Sequence, residues 1–259
     1  MNIDEIVTSI RAALPDVLVA VDFDGTLAPL VADPQSSRPV SGTVEALTAV
    51  SRTGAQVGVI TGRDALNVVR LGGLDQVPGI VVAGLYGIET WRDGELTTPD
   101  TPGPMQALQR RLPALLAAQD ADPDVWIEDK RLSLVVHGRK ADDPDAALAP
   151  LHAPIESLAA ELGLELHPGR DVLELRLPGF DKAGALSRLA ADRSAVLYIG
   201  DDLGDLPAFA EIRRMRGSGR IAWAVAVLSS DVAEVADAAD VHVDSPADAV
   251  TLLTSIAGG

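Results

Sequence analysis

The chain of 259 residues contains no cysteine, which excludes disulfides, thiolate metal centres and a cysteine nucleophile. Positive charge is scarce. Lys and Arg total 21 against 38 Asp and Glu, and the formal net charge of −17 repels nucleic acid and anionic membrane surfaces. No apolar run is long enough to span a bilayer. Residues Met1 to Leu14 mix acids with apolar residues and lack a basic region followed by a long apolar core, so no secretory signal is expected and the composition fits a cytoplasmic protein. Aromatic residues make up only 3% of the chain, and the scattered Trp91, Trp126 and Trp223 read as packing residues. His152, in a helix flanked by prolines, reads as a surface or packing residue, and Arg213-Arg214-Met215-Arg216 as the favoured positive end of a helix. What remains is a folded protein, 47% hydrophobic, whose expected partner is a small molecule. If that molecule is anionic, an acidic protein needs local positive charge, from bound metal or from isolated Lys and Arg.

Short β-rich runs alternate with amphipathic stretches: strand 17–23, helix 41–53, strand 56–60, helix 64–71, strand 80–85. The rhythm returns with helix 181–192, strand 195–200, helix 204–214, strand 221–228, helix 230–238, strand 241–243 and helix 246–256. The near-continuous apolar runs Val17 to Val21 and Ala195 to Ile199 suit a parallel sheet covered on both faces. The fold expected is α/β, a doubly wound, Rossmann-like parallel sheet split in sequence. Thr98-Pro99-Asp100-Thr101-Pro102-Gly103-Pro104 is a breaker-rich crossing, and Pro178-Gly179 marks the return. Between them, helix 105–118, strands 124–128 and 131–137, helix 144–162 and strands 164–168 and 171–176 form an αββαββ pattern. That predicts an inserted α+β domain at 102–177, with an antiparallel sheet and helices on one face, and a core of 1–101 and 178–259. One continuous larger α/β domain is the alternative.

Ligands of open parallel sheets bind beyond the carboxyl ends of the strands. The first strand runs into Asp22-Phe23-Asp24-Gly25-Thr26, two carboxylates one residue apart followed by a glycine that admits a sharp turn and a hydroxyl beside it. If the strand continues through them, residues i and i+2 share a face and the acids emerge roughly 6–7 Å apart, with space for a phosphoryl group. The second strand ends in Thr61-Gly62-Arg63, a later one in Gly200-Asp201-Asp202-Leu203-Gly204-Asp205, and Lys182 opens the helix before it. Each has an ordinary reading as a cap or a solvated first-turn residue; together at equivalent strand ends they point to a site. Asp22, Asp24, Asp201, Asp202 and Asp205 concentrate negative charge, and a like pair at 4 Å costs about 4 kcal/mol at an effective dielectric near 20. Hard oxygen donors without a nearby histidine favour Mg²⁺. The chemistry is then metal-assisted phosphoryl transfer, in which a carboxylate can also serve as nucleophile, with Asp24 placed to protonate the leaving alkoxide.

Asp22-Phe23-Asp24-Gly25-Thr26, Thr61, Lys182 and Gly200-Asp201-Asp202 resemble the four ordered motifs of the haloacid dehalogenase-like (HAD) phosphohydrolases. The resemblance implies a nucleophile at Asp22, an acid/base at Asp24, and phosphate contacts from Thr61 and Lys182. Gly25, Thr26, Gly62 and Arg63 join these as substrate-contacting positions. It also implies Mg²⁺ held by Asp22, the Asp24 carbonyl and Asp201, with Asp202 and Asp205 supporting the metal shell, and a C2-type cap in the insert. Ile127-Glu128-Asp129-Lys130, Ser133-Leu134 and His137-Gly138-Arg139 resemble the cap signature of the trehalose-6-phosphate phosphatase family, Glu-x-Lys followed by His-x-Arg. Gly169-Arg170 with Val172-Leu173-Glu174 resembles its Gly-Lys-x-x-x-Glu segment, and Gly84-Leu85-Tyr86-Gly87-Ile88-Glu89 its Gly-x-His-Gly-x-Glu segment. The implied sugar-hydroxyl ligands are Glu128, Lys130, Arg170 and Glu174. The sequence departs from that family where Gly204-Asp205-Leu206 replaces Thr-Asp-Glu, Tyr86 a histidine and Arg170 a lysine.

The resemblance implies hydrolysis of trehalose 6-phosphate, supplied by a separate synthase. A phosphatase for another sugar phosphate, such as sucrose 6-phosphate or a glycosyl-phosphoglycerate, and a phosphomutase share the core. A phospho-accepting receiver also gathers Asp, Thr and Lys at strand ends, but has no inserted module and no use for a second acid at Asp24.

Overall fold

The computed structural model describes residues 2–31, 33–98, 100–129, 133–169, 171–228 and 233–258. The chain divides into two compact units, Met1–Thr98 with Asp181–Gly259, and Pro99–Phe180. In chain order, α1 (Ile3–Ala13), β1 (Val17–Val21), α2 (Thr43–Arg52), β2 (Gln56–Ile60), α3 (Ala65–Gly72), β3 (Val81–Gly84), β4 (Glu89–Arg92) and β5 (Glu95–Thr97) come first. The second unit contributes α4 (Gly103–Ala118), β6 (Trp126–Asp129), β7 (Ser133–His137), α5 (Pro144–Leu162), β8 (Glu165–Gly169) and β9 (Val172–Arg176). Then come α6 (Lys182–Leu189), β10 (Ala195–Gly200), α7 (Leu206–Gly217), β11 (Ile221–Val227), α8 (Ala233–Ala238), β12 (Val241–Val243) and α9 (Pro246–Ala257).

The first unit holds an eight-stranded sheet in the order β12-β11-β10-β1-β2-β3-β4-β5. Its six central and left-hand strands are parallel, and β3, β4 and β5 pair antiparallel at one edge. All five residues of β1 are buried, as a strand covered on both faces requires. Val17, Val19 and Val21 join Ile6, Ile10, Leu47, Val50, Leu253 and Ile256 on one side, while Leu18 and Ala20 join Leu186, Phe209 and Ile212 on the other. From β1 the chain steps outward through β2 and β3 on one side and returns through β10 to β12 on the other. The strand order therefore reverses at β1, and the open end beside β1 and β10 is the crevice where such sheets bind ligands.

Two elements lie outside the alternation expected from sequence. The first is α1, begun by a capping box in which the Asn2 side chain accepts from the Glu5 amide and Glu5 accepts from the Asn2 amide. The second is the β4–β5 hairpin, whose two-residue turn, Asp93-Gly94, has φ of 51° and 86° at its two positions, as a type I′ hairpin turn demands.

In the second unit four antiparallel strands run in the order β6-β7-β9-β8. One face is apolar: Leu134, Val136, Leu173 and Leu175 pack with Leu108, Leu112, Leu151, Ile155 and Leu158 of α4 and α5. The register puts the alternate residues Trp126, Glu128, Val135, His137, Glu174 and His167 on the opposite face. Among the described residues no helix is long and apolar enough to cross a membrane.

Candidate active site

β1 ends at Val21, so Asp22 and Asp24 do not continue the strand, and the spacing expected from strand geometry does not apply to them. Asp22 is still tied to the sheet through its amide, which donates to the Ile199 carbonyl at 2.9 Å. The chain then turns: Leu27 and Ala28 amides both donate to the Phe23 carbonyl, and the Gly25 amide donates to the Ala28 carbonyl at 2.7 Å. Gly25 has φ +77°, and a Cβ built there would lie 1.9 Å from Asp201 Oδ2, so only glycine lets this turn lie against that carboxylate. Thr26, fully buried, donates from Oγ1 to Asp201 Oδ1 at 3.2 Å.

The turn sends the two acids into different surroundings. Asp24 is gripped by the Arg63 guanidinium, whose Nε and Nη2 donate to Oδ2 and Oδ1 at 2.5 and 2.6 Å. Ser37 Oγ adds a third donor at 3.0 Å, and Arg63 Nη1 is itself anchored on the Pro34 carbonyl at 2.6 Å. Sequence reading placed Arg63 among the substrate contacts; in the structure its fork closes on the second acid. Thr61 is 1% exposed, and its Oγ1 accepts from the Arg63 amide at 3.1 Å. Residues 61–63 are fixed against the end of β3, since the Tyr86 amide donates to the Thr61 carbonyl and the Leu85 amide to the Arg63 carbonyl. Leu85 and Tyr86 hold φ of 47° and 59°, a strained pair at the rim of the crevice. Gly62 lies beneath Tyr86: a Cβ there would stand 2.9 Å from its hydroxyl oxygen, so the ring would have to shift.

Asp22 faces the opposite way, onto Lys182. Asp181 caps α6 by accepting from the Gly184 amide, which sets Lys182 at the first helical position with its side chain 4% exposed. Its ammonium lies 2.7 Å from Asp205 Oδ1, 3.1 Å from Asp22 Oδ2 and 3.5 Å from Asp202 Oδ1. Asp205 is fully buried and saturated: Oδ1 also accepts from the Tyr198 hydroxyl at 2.5 Å, and Oδ2 accepts from the Asp201 and Asp202 amides at 2.9 and 3.1 Å. Burial opposes its charge, but Lys182 and these hydrogen bonds hold the Asp205 carboxyl below the usual range. Burial likewise opposes the charge on Lys182, yet Asp22, Asp205 and Asp202 together raise it above an ordinary lysine. Asp22 goes the other way. Burial, helped by repulsion from Asp205, Asp201 and Asp202 and opposed by Lys182, pushes its carboxyl well above the usual range.

Carboxylate oxygens of Asp22, Asp202 and Asp205 come within 4.8 Å of one another, and the Lys182 ammonium contacts all three. Because Asp205 gives both oxygens to protein donors, it organises Lys182 and the Asp201-Asp202 backbone from behind. Three carboxylates gather around the Lys182 ammonium, and Asp201, 1% exposed, adds its repulsion at Asp22. The cluster is short of positive charge, and its donors are hard oxygens, the set that suits a hard divalent cation.

Sequence reasoning missed Ser37 and Tyr198. Tyr198 carried a signal, since a tyrosine in a fully buried strand needs a partner for its hydroxyl. Burial and Asp205 push that hydroxyl well above an ordinary tyrosine, so it stays a donor.

In the second unit, Glu128 and Glu174 lie on one rung of the sheet, each opposite Val135 of the intervening strand. Two strand spacings of roughly 4.8 Å separate them. His137 Nε2 lies 2.9 Å from Glu128 Oε2, and His167 is the next residue on the same rung, beside Glu174. Lys130 and Arg170, expected as further ligands, lie outside the described residues.

The trehalose-phosphatase family model matches residues 20–247, most of the chain and both units. The chain belongs to the trehalose-phosphatase family. A trehalose-phosphate phosphatase of Mycobacterium avium is 32% identical over 249 residues, covering 92% of this chain and 61% of its own length. The chain spans about half to three-fifths of the length of curated relatives of that name that it matches. An Aspergillus fumigatus trehalose-6-phosphate phosphatase structure superposes with a TM-score of 0.82 at 21% identity, covering 99% of this chain and 97% of that one. A haloacid dehalogenase-like hydrolase from Bacteroides thetaiotaomicron superposes at 0.64 and 17% identity, covering 92% and 97%. At such identities the two structures speak for the fold: a HAD-like core with an inserted module.

Proposed function

We propose that the protein is a Mg²⁺-dependent phosphatase that hydrolyses trehalose 6-phosphate to trehalose and phosphate through a phosphorylated Asp22. The observation that carries this is the separation of two acids within one turn, Asp22 buried against Lys182 and Asp24 half-exposed in the grip of Arg63 and Ser37. Environments that differ this much assign different tasks to neighbouring carboxylates.

In the first half-reaction an Asp22 oxygen attacks phosphorus, the sugar O–P bond breaks, and Asp24 gives its proton to the departing alkoxide. In the second, water attacks the phosphorus of the acyl phosphate, Asp24 takes the water proton, and the Asp22 O–P bond breaks to release phosphate and the free carboxylate. Both oxygens of Asp24 accept from Arg63, so carrying a proton requires that pair to open. Lys182 and the Thr61 hydroxyl hold phosphoryl oxygens; Thr61 Oγ1 already accepts from the Arg63 amide, which leaves its hydrogen to donate. When bound, Mg²⁺ supplies charge neutralisation of the phosphoryl group, and Asp22, Asp201 and the Asp24 carbonyl would hold it, with Asp202 beside them. Glu128 and Glu174, with Lys130 and Arg170, are the sugar-hydroxyl ligands in this reading, the inserted unit sets substrate specificity, and a separate synthase supplies the ester.

Phosphate release from trehalose 6-phosphate, sucrose 6-phosphate, glucose 6-phosphate and a glucosyl-phosphoglycerate, each with Mg²⁺, tests the proposal. Trehalose 6-phosphate is expected to lead in kcat/KM by at least about tenfold, a preference that a few satisfied hydroxyl contacts readily give. Another ester leading by that margin would replace the substrate, and transfer to a second sugar in place of free phosphate would replace the reaction.

A further inference from the structure

The polar face of the second unit carries an aromatic stack that the proposed chemistry does not use. Trp126 and His137 stand directly opposite each other in the β6–β7 register, and Glu128 follows Trp126 by two residues on the same face. The two rings stack at 4.1 Å between centroids and 11° between planes, and the Lys140 ammonium lies 5.4 Å from the indole centroid. His137 is 4% exposed, whereas the Glu128 side chain, 2.9 Å from its Nε2, is 40% exposed. A buried, stacked ring thus meets a carboxylate that reaches solvent. His137 Nδ1 is buried with no hydrogen-bond partner among the described residues. Glu128 therefore selects the tautomer, and Nε2 carries the hydrogen that it receives.

We infer that His137 is a positioning residue for sugar recognition, holding the Glu128 carboxylate through Nε2–H so that Glu128 meets a substrate hydroxyl in one rotamer. The inference rests on the reading of Glu128 as a sugar ligand. A free glutamate loses considerable rotamer freedom on binding, and a charge-assisted hydrogen bond from a ring locked by stacking removes that freedom beforehand. The device resembles the way a metal-ligating histidine is oriented by a carboxylate, with the roles exchanged: here the ring orients the acid.

Three variants test it. His137→Phe keeps the stack and volume but removes the donor, while His137→Gln places an amide N–H near the position of Nε2 without the ring. With trehalose 6-phosphate, His137→Phe is expected to lower kcat/KM about tenfold, mainly through KM, and His137→Gln to recover to within about threefold of wild type. In a Glu128→Gln background, His137→Phe is expected to add less than about twofold, because its effect acts through Glu128. Wild-type kcat/KM in His137→Phe would overturn the inference, as would full additivity with Glu128→Gln. So would an equal fall with p-nitrophenyl phosphate, which has no hydroxyl for Glu128 to hold. If the wild-type protein itself fails on trehalose 6-phosphate while hydrolysing p-nitrophenyl phosphate, the substrate reading fails; if wild type succeeds and His137→Phe matches it, only the role of His137 fails.

Discussion

Replacing Lys182 by methionine removes the ammonium that touches Asp22, Asp202 and Asp205, and the structure sets how much that costs. At 2.7 and 3.1 Å from Asp205 and Asp22, each contact is a Coulombic attraction on the order of 5 kcal/mol at an effective dielectric near 20, before desolvation is subtracted. Burying Lys182 offsets much of this, but the variant retains the buried acids without their partner, and breaking one side of a buried pair costs about 3–5 kcal/mol. For a domain of this size that is a fall in thermal midpoint on the order of 10 °C. The assay is thermal and urea unfolding of wild type and Lys182→Met in the presence of a chelator.

The same comparison carries a pH signature. Asp205, depressed in the fold, contributes stability that is present above its ordinary value of 3.8 and is lost as pH falls through the lower folded value. Lys182, raised in the fold, contributes stability that is present below its ordinary value of 10.5 and is lost only as pH rises through the higher folded value. The gap between wild type and variant is therefore expected to be widest at neutral pH and to narrow in acid, where the stranded carboxylates can protonate. Equal midpoints at pH 7, or a gap unchanged into acid, would refute the view that Lys182 neutralises this cluster.

Two further outcomes follow from the same geometry. Asp22→Asn should abolish phosphate release yet raise the metal-free unfolding free energy at neutral pH by about 1 kcal/mol. A buried acid with a raised folded value stabilises the fold only while protonated, and that contribution is lost as pH rises through the folded value. A variant that turns over at near-wild-type rate with Mg²⁺ would remove Asp22 from the role of nucleophile. Gly25→Ala forces a Cβ into Asp201 at a φ of +77°, and it is expected to cost about 2 kcal/mol or more in urea and to weaken Mg²⁺ binding in calorimetry. Unchanged metal affinity would show that Asp201 does not depend on this turn.

The parts of this molecule legible in the sequence are those that periodicity and local chemistry encode. Val17 to Val21 reads as a strand buried on both faces because every residue is apolar, and Glu128 and Glu174 can be placed on the polar face of a sheet because alternation has only two outcomes. The signals for α1 and the β4–β5 hairpin were also present, in the Asn2–Glu5 capping box and in Asp93-Gly94. What the strand ends do with their side chains is a different kind of information. Asp22 and Asp24 are two residues apart, yet one turns to Lys182, 160 positions later, and the other to Arg63 and Ser37, 39 and 13 positions away. No local rule relates those numbers; they arise because β1 has β10 on one side and β2 on the other, so the loop after it is shared between two neighbours. The turn that divides the acids is possible only because Gly25 lies flat against Asp201. The motif thus states which groups the chemistry needs, while the order of strands in the sheet decides which acid faces the ammonium and which faces the guanidinium. It is that division which makes one the candidate nucleophile and the other the candidate proton carrier.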